Sequence, residues 1–215
     1  MERLITAARD DGHEMVRRGA LEALREIGDP RSVDVALAAL KDPDDMVRAG
    51  AIKLLGRMKA PRWTEAVQAM LKDRDGYVRY RAMEVLAEAN APKLGDCLRQ
   101  TLMDDEVRVA DGLGDADVAI AVLQASDAWV RAAALKVLAR IKDPKSVEAV
   151  AKMLEDPEDL VRREAVEALA ELNPPDLADR LRPMILEEKD HYVHDAVLRV
   201  LRASGKPMSK QPEKR

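Results

Sequence analysis

The dipeptide Val-Arg returns along this chain at a nearly fixed interval. It stands at Val16-Arg17, Val47-Arg48, Val78-Arg79, Val107-Arg108, Val130-Arg131 and Val161-Arg162, and comes back altered as Val193-His194. Successive valines lie 31, 31, 29, 23, 31 and 32 residues apart. A period in this range, carried by helical patterning, marks an array of stacked repeats, each burying its apolar face only against its neighbours. The 215 residues therefore read as one elongated body rather than one or two globular domains.

The unit from Asp42 to Lys72 shows the grammar. Asp42 is expected as N-cap and Pro43 as first helical residue. Val47, Ala51, Leu54, Leu55 and Met58 then fall on one helical face. Ala60-Pro61 ends the helix, because the residue before proline is driven out of the helical region. A shorter helix follows, with Val67, Met70 and Leu71 as its apolar stripe. Equivalent breaks recur at Asp29-Pro30, Ala91-Pro92, Asp143-Pro144 and Pro174-Pro175. The position before each Val (Met15, Met46, Tyr77, Glu106, Trp129, Leu160, Tyr192) is mostly large and apolar, and is expected to pack between repeats.

The run Asp156 to Leu169, DPEDLVRREAVEAL, resembles the short HEAT-like repeat, also called the phycobilisome-lyase-type HEAT repeat. The resemblance extends from about Met1 to Ser204. It implies an all-α fold: a right-handed alpha-alpha superhelix of about six helix pairs with a half-repeat at each end. The solenoid is expected over 1–203, with a disordered basic tail over 204–215. The signature residues of tetratricopeptide and ankyrin units are missing.

Composition agrees with such a stack. The apolar fraction is 47%, but aromatics are 2% and Phe is absent, so the core is built from Ala, Leu, Val, Ile and Met. Forty acidic and 36 basic residues are interspersed, for a net charge of -4, which argues against nucleic acid or anionic lipid as the partner. A single cysteine, Cys97, excludes an internal disulfide and fits a reducing, cytoplasmic setting. The sequence MERLITAARDD is not a signal peptide, and no run of 18 apolar residues predicts a membrane span.

Regularity fails in two places. From Val78 to Val130 is 52 residues where two periods require 62, which predicts a truncated long helix in the fourth unit, weakened by Asp111, Gly112 and Gly114. This is either a tolerated deletion that bends the stack or a notch that receives a partner. At the ends, Glu2 to Ala8 and Tyr192 to Ala203 are half-repeats without an obvious polar cap. With Leu198 and Leu201 in core columns, head-to-tail self-association is expected.

Catalytic material is scarce. Arg17, Arg48, Arg79, Arg108, Arg131 and Arg162 admit two readings. Stacked arginines can bind an anion. The resemblance implies instead a structural ladder to acidic residues or loop carbonyls at the inter-repeat turn, a role that a planar guanidinium fork suits. His191 and His194 with Asp190 and Asp195 form a thin metal-ligand set, so no metal or cofactor is expected. His13-Glu14 resembles one of the iron-holding pairs of deoxyhypusine hydroxylase, but that family uses several and only one stands here.

The resemblance places the second, shorter helices on the concave face. The expected partner-binding residues are Arg31, Val35, Arg62, Trp63, Ala66, Lys93 and Leu94, with Trp63 exposed as the anchor. The resulting expectation is a non-enzymatic protein-protein interaction scaffold or adaptor using the concave face. The alternative, suggested by the repeat class alone, is a chromophore-handling protein of the phycobilin lyase type.

Overall fold

The computed structural model describes residues 1–59, 61, 63–101 and 113–204. Among these residues every regular element is helical and no strand occurs. Six long helices carry the repeat: α2 (Glu14–Ile27), α4 (Asp45–Met58), α6 (Gly76–Glu88), α9 (Ala128–Ile141), α11 (Asp159–Leu172) and α14 (His191–Ala203). Short helices alternate with them: α1 (Glu2–Asp10), α3 (Ser32–Ala39), α5 (Trp63–Ala69), α7 (Leu94–Thr101), α8 (Asp115–Val122), α10 (Val147–Lys152), α12 (Leu177–Leu181) and α13 (Met184–Glu187). The molecule is an α-solenoid.

Aspartates open several long helices. Asp44 accepts from the Val47 N–H at 2.9 Å, Asp75 from Val78 at 3.1 Å, and Asp127 from Trp129 at 2.8 Å. Asp190 accepts from both Tyr192 and Val193. Each satisfies an amide that the first turn leaves without a partner. The cap of α4 is thus Asp44, not Asp42 as expected, and Pro43 lies outside the helix. The reason is competition: the Asp42 carboxylate is already taken by Arg17 and by the Asp44 N–H.

Left-handed residues close four of the long helices: Gly28, Lys59, Lys142 and Asn173, with φ of 70°, 47°, 57° and 48°. Their N–H groups return to the carbonyls of Leu24, Leu55, Leu138 and Leu169. Glycine and asparagine adopt this conformation readily, whereas lysine does so at a cost of about 1 kcal/mol. After the turn, the Ser32 and Ser146 hydroxyls donate to the carbonyls of Asp29 and Asp143 at 2.6 Å, with both serines fully buried.

The long helices form a continuous row: α2 on α4, α4 on α6, α6 on α9, α9 on α11, and α11 on α14. The fourth unit contributes α8 to the short row, against α7, while α6 and α9 pack directly on one another. Gly76 marks how closely: a Cβ there would lie 2.7 Å from Trp129 Cδ1. The predicted truncated helix, with Arg108, Asp111 and Gly112, lies outside the described residues, as does the tail 205–215.

One apolar cluster runs from Ile5 to Leu201 without interruption. Among the described residues no helix is long and apolar enough to cross a membrane. The N-terminal end differs from expectation. The outer face of α1 exposes Glu2, Arg3, Thr6 and Arg9, which caps it with polar groups. At the other end Leu201 is buried and Leu198 half-buried. Apolar surface is open at both ends, with Leu186 on α13 85% exposed and two branched side chains exposed on α2. Val16 is 43% exposed and Ile27 55% exposed, although the valine equivalent to Val16 is buried in α4, α6, α9, α11 and α14. Among the described residues the long helix that packs on α2 is α4.

Candidate docking groove

The repeated arginines lie where adjacent repeats meet. Arg17 binds Asp42 through two bonds of 2.7 and 2.8 Å, Arg48 binds Asp73 through two of 2.8 Å, and Arg131 binds Asp156 through two of 2.8 Å. Arg162 reaches Glu188 in the same bidentate manner. The remaining nitrogen of each arginine donates to a carbonyl at the start of its own repeat: Asp11, Asp42, Ala125 and Asp156, respectively. Each guanidinium therefore ties its own turn to the next one. Arg79 pairs across the shortened unit, with Asp127. Arg108 is outside the described residues. His194, in the equivalent position, turns inward to the Ile185 carbonyl at 3.2 Å.

These ion pairs are largely withdrawn from water, and the carboxylates respond. Burial raises the pKa of Asp42, but hydrogen bonds from Arg17 and the Asp44 N–H outweigh it and hold the group below its ordinary value. Glu188 is likewise lowered, chiefly by its hydrogen bonds from Arg162.

The expected partner-binding residues do not assemble into an exposed surface. Trp63 is 9% exposed, and Leu94 and Val35 are also buried. Trp63 and Leu94 share the column of the buried serines Ser32 and Ser146 at the start of the short helices. It points into the core, so Trp63 is a packing residue and not an exposed anchor. Arg31 and Lys93 are exposed, Ala66 is half-buried, and Arg62 lies outside the described residues. Arg31 is held by Asp29.

A groove of about 1130 Å³ lies instead across four long helices, α6, α9, α11 and α14. The long helices follow one another in direct contact along this face. Its rim uses the column before each valine. Tyr77, Trp129 and Leu160 are half-buried, and Tyr192 is 63% exposed. Met46 and Met15 continue the stripe on α4 and α2, where both are exposed. The column expected to pack between repeats is therefore partly a surface. Tyr77 meets Trp129 edge-on with ring centres 5.1 Å apart, and the Arg81 guanidinium lies over Tyr77 at 5.5 Å.

The floor is polar. Glu164, 3% exposed, accepts from the Tyr80 hydroxyl at 3.0 Å and from Arg163 at 3.1 Å, and pairs with Lys136 at 2.7 Å. Lys136 also faces Glu84 at 3.6 Å. Burial lowers the Lys136 pKa, but Glu164 more than compensates and the group stays above its ordinary value. Burial, reinforced by Glu164 and Glu84, drives the Tyr80 hydroxyl far upward, so it remains a proton donor.

Two columns of alternating charge cross this face. One reads Glu22, Lys53, Glu84, Lys136, Glu167, Arg199, and the next reads Glu26, Arg57, Glu88, Arg140, Glu171. The alternation is unbroken only if α9 follows α6. It is thus a signal in the chain that α6 and α9 are neighbours in the long row. Among the described residues no group of His, Cys, Asp and Glu is arranged to hold a metal ion. His191 stacks on Tyr192.

The family model for HEAT repeats matches residues 1–87, 33–112 and 116–202. The chain belongs to the HEAT repeat family. Its fold is similar to that of the complex of CpcE and CpcF of phycocyanin lyase from Nostoc sp. PCC7120, with TM-score 0.62 and 20% identity over 95% of this chain and 77% of that one. It is also similar to YibA of Escherichia coli (TM-score 0.48, 17% identity, 94% and 92% covered) and to human deoxyhypusine hydroxylase (TM-score 0.43, 18% identity, 94% and 96% covered). At these identities the likeness is one of fold. No curated protein matches the chain in a sequence search.

Proposed function

We propose that this HEAT-repeat solenoid is a non-enzymatic, cytoplasmic interaction scaffold that receives a partner polypeptide in the groove of α6, α9, α11 and α14. The carrying observation is the groove itself: about 1130 Å³, spread over four repeats and rimmed by half-exposed large side chains. Pockets that enclose small molecules are typically ~300–1,000 Å³ and close around the ligand. A long trough with an aromatic rim suits a chain segment better. In this reading the arginine pairs hold the repeats in register and leave the rim for contacts.

The test is affinity capture from native lysate with the full chain, with Tyr192→Glu, and with Lys93→Glu on the short-helix row as control. Loss of the captured partner with the first variant alone supports the groove; equal capture by all three sinks it. The likeness to the phycocyanin lyase complex motivates a bilin-handling alternative, for which added bilin should change its absorbance on mixing with the protein. Self-association is motivated by the open α2 face. Ile27→Glu should then abolish any concentration-dependent shift in size measured by light scattering.

A further inference from the structure

The charge lining the groove is unequal. Eight carboxylates and five cations face it. The cations are occupied: Arg81 binds Glu84, Lys136 and Arg163 bind Glu164, Arg199 binds Glu167, and Arg140 donates to Asn90. Glu88, Asp159 and Asp195 are exposed and make no ion pair among the described residues. One of these carboxylates stands on each of α6, α11 and α14.

On the same columns α2, α4 and the cap of α4 carry Arg18, Arg25, Lys53 and Arg57 against Glu14, Glu22, Glu26, Asp44 and Asp45, an excess of one carboxylate. The excess of negative charge is larger over the groove, where it reaches three. The aromatic rim lies beside it, and Arg81 over Tyr77 and Tyr80 shows that guanidinium groups lie against these rings.

We infer that the groove selects an extended, Lys/Arg-rich segment of a partner polypeptide, a conclusion that rests on the groove being the docking surface. Unneutralised carboxylates supply the long-range attraction, and Tyr192 supplies a ring face for a cationic side chain. Packed helices are roughly 8–10 Å apart, and a chain in the extended polyproline II conformation advances about 3.1 Å per residue with three residues per turn, so every third side chain points the same way and meets a successive helix. Basic residues at every third position fit best.

The test uses fluorescent twelve-residue peptides titrated against the full chain by anisotropy. One has Lys or Arg at every third position, one has Gln there, and one has Glu. The basic peptide should bind most tightly, and its affinity should fall about tenfold between roughly 0.05 and 0.5 M salt. Asp159→Asn with Asp195→Asn should weaken it severalfold, and Tyr192→Ala by about two- to fivefold, with helical circular dichroism unchanged. Failure of the basic peptide to bind, binding no tighter than the Gln peptide, or affinity untouched by these variants overturns the inference. Groove-dependent capture of a partner without a basic segment also overturns it, while leaving the docking surface in place.

Discussion

Arg48 and Asp73 are 5% and 8% exposed as side chains and are joined by two hydrogen bonds. Truncating one member strands the other charge in a site that water scarcely reaches. Arg48→Ala is expected to cost about 3–5 kcal/mol in a urea titration. The corresponding pH effect has a definite sign. Asp42 and Glu188 have folded pKa values below their ordinary ones, so their contribution is complete above the unfolded carboxylate range. It disappears as pH falls through the lowered folded values. Thermal stability should therefore drop as the solution is acidified below about pH 4, and Asp42→Asn should flatten part of that slope. The arginine positions were visible in the chain, and so were aspartates six residues before four of them. Which arginine each aspartate serves was not. Arg17, Arg48, Arg131 and Arg162 each take a carboxylate from the following repeat, a pairing that exists only once two repeats stack.

Helix ends and close crossings govern the elements. Lys59 and Lys142 occupy the left-handed position that Gly28 and Asn173 fill elsewhere. Lys142→Gly removes a Cβ from that conformation and should stabilise the protein by about 1 kcal/mol, seen as a higher urea midpoint. Gly56 on α4 faces Val85 on α6 so closely that a Cβ would overlap the valine side chain. Gly56→Ala is expected to destabilise by ~1–3 kcal/mol through overpacking, with an unchanged unfolding slope. Helix positions were largely legible because the apolar period and the proline breaks are local. The start of α4 was not: Asp42 and Asp44 are equally good caps, and a contact with the neighbouring repeat chose between them.

The whole molecule is a chain of nearest-neighbour contacts over one continuous core. Damage at one end should stay there. Arg17→Ala is expected to speed amide hydrogen exchange in α1 to α4 and to leave α11 and α14 protected to within about 0.5 kcal/mol. Uniform loss of protection would mean that the array unfolds as a single cooperative unit.

The amino-acid order alone dictated stacked helix pairs, an aliphatic core and an arginine recurring at the junctions, since all three follow from periodicity and composition. It did not dictate which row of helices forms the trough, or that Trp63 turns inward. Periodicity identifies the apolar face of a helix, but not how the outer columns of successive helices join into one surface. The meeting of α6 and α9 across the shortened repeat belongs with these, because it depends on which helices are left to touch once the stack has closed.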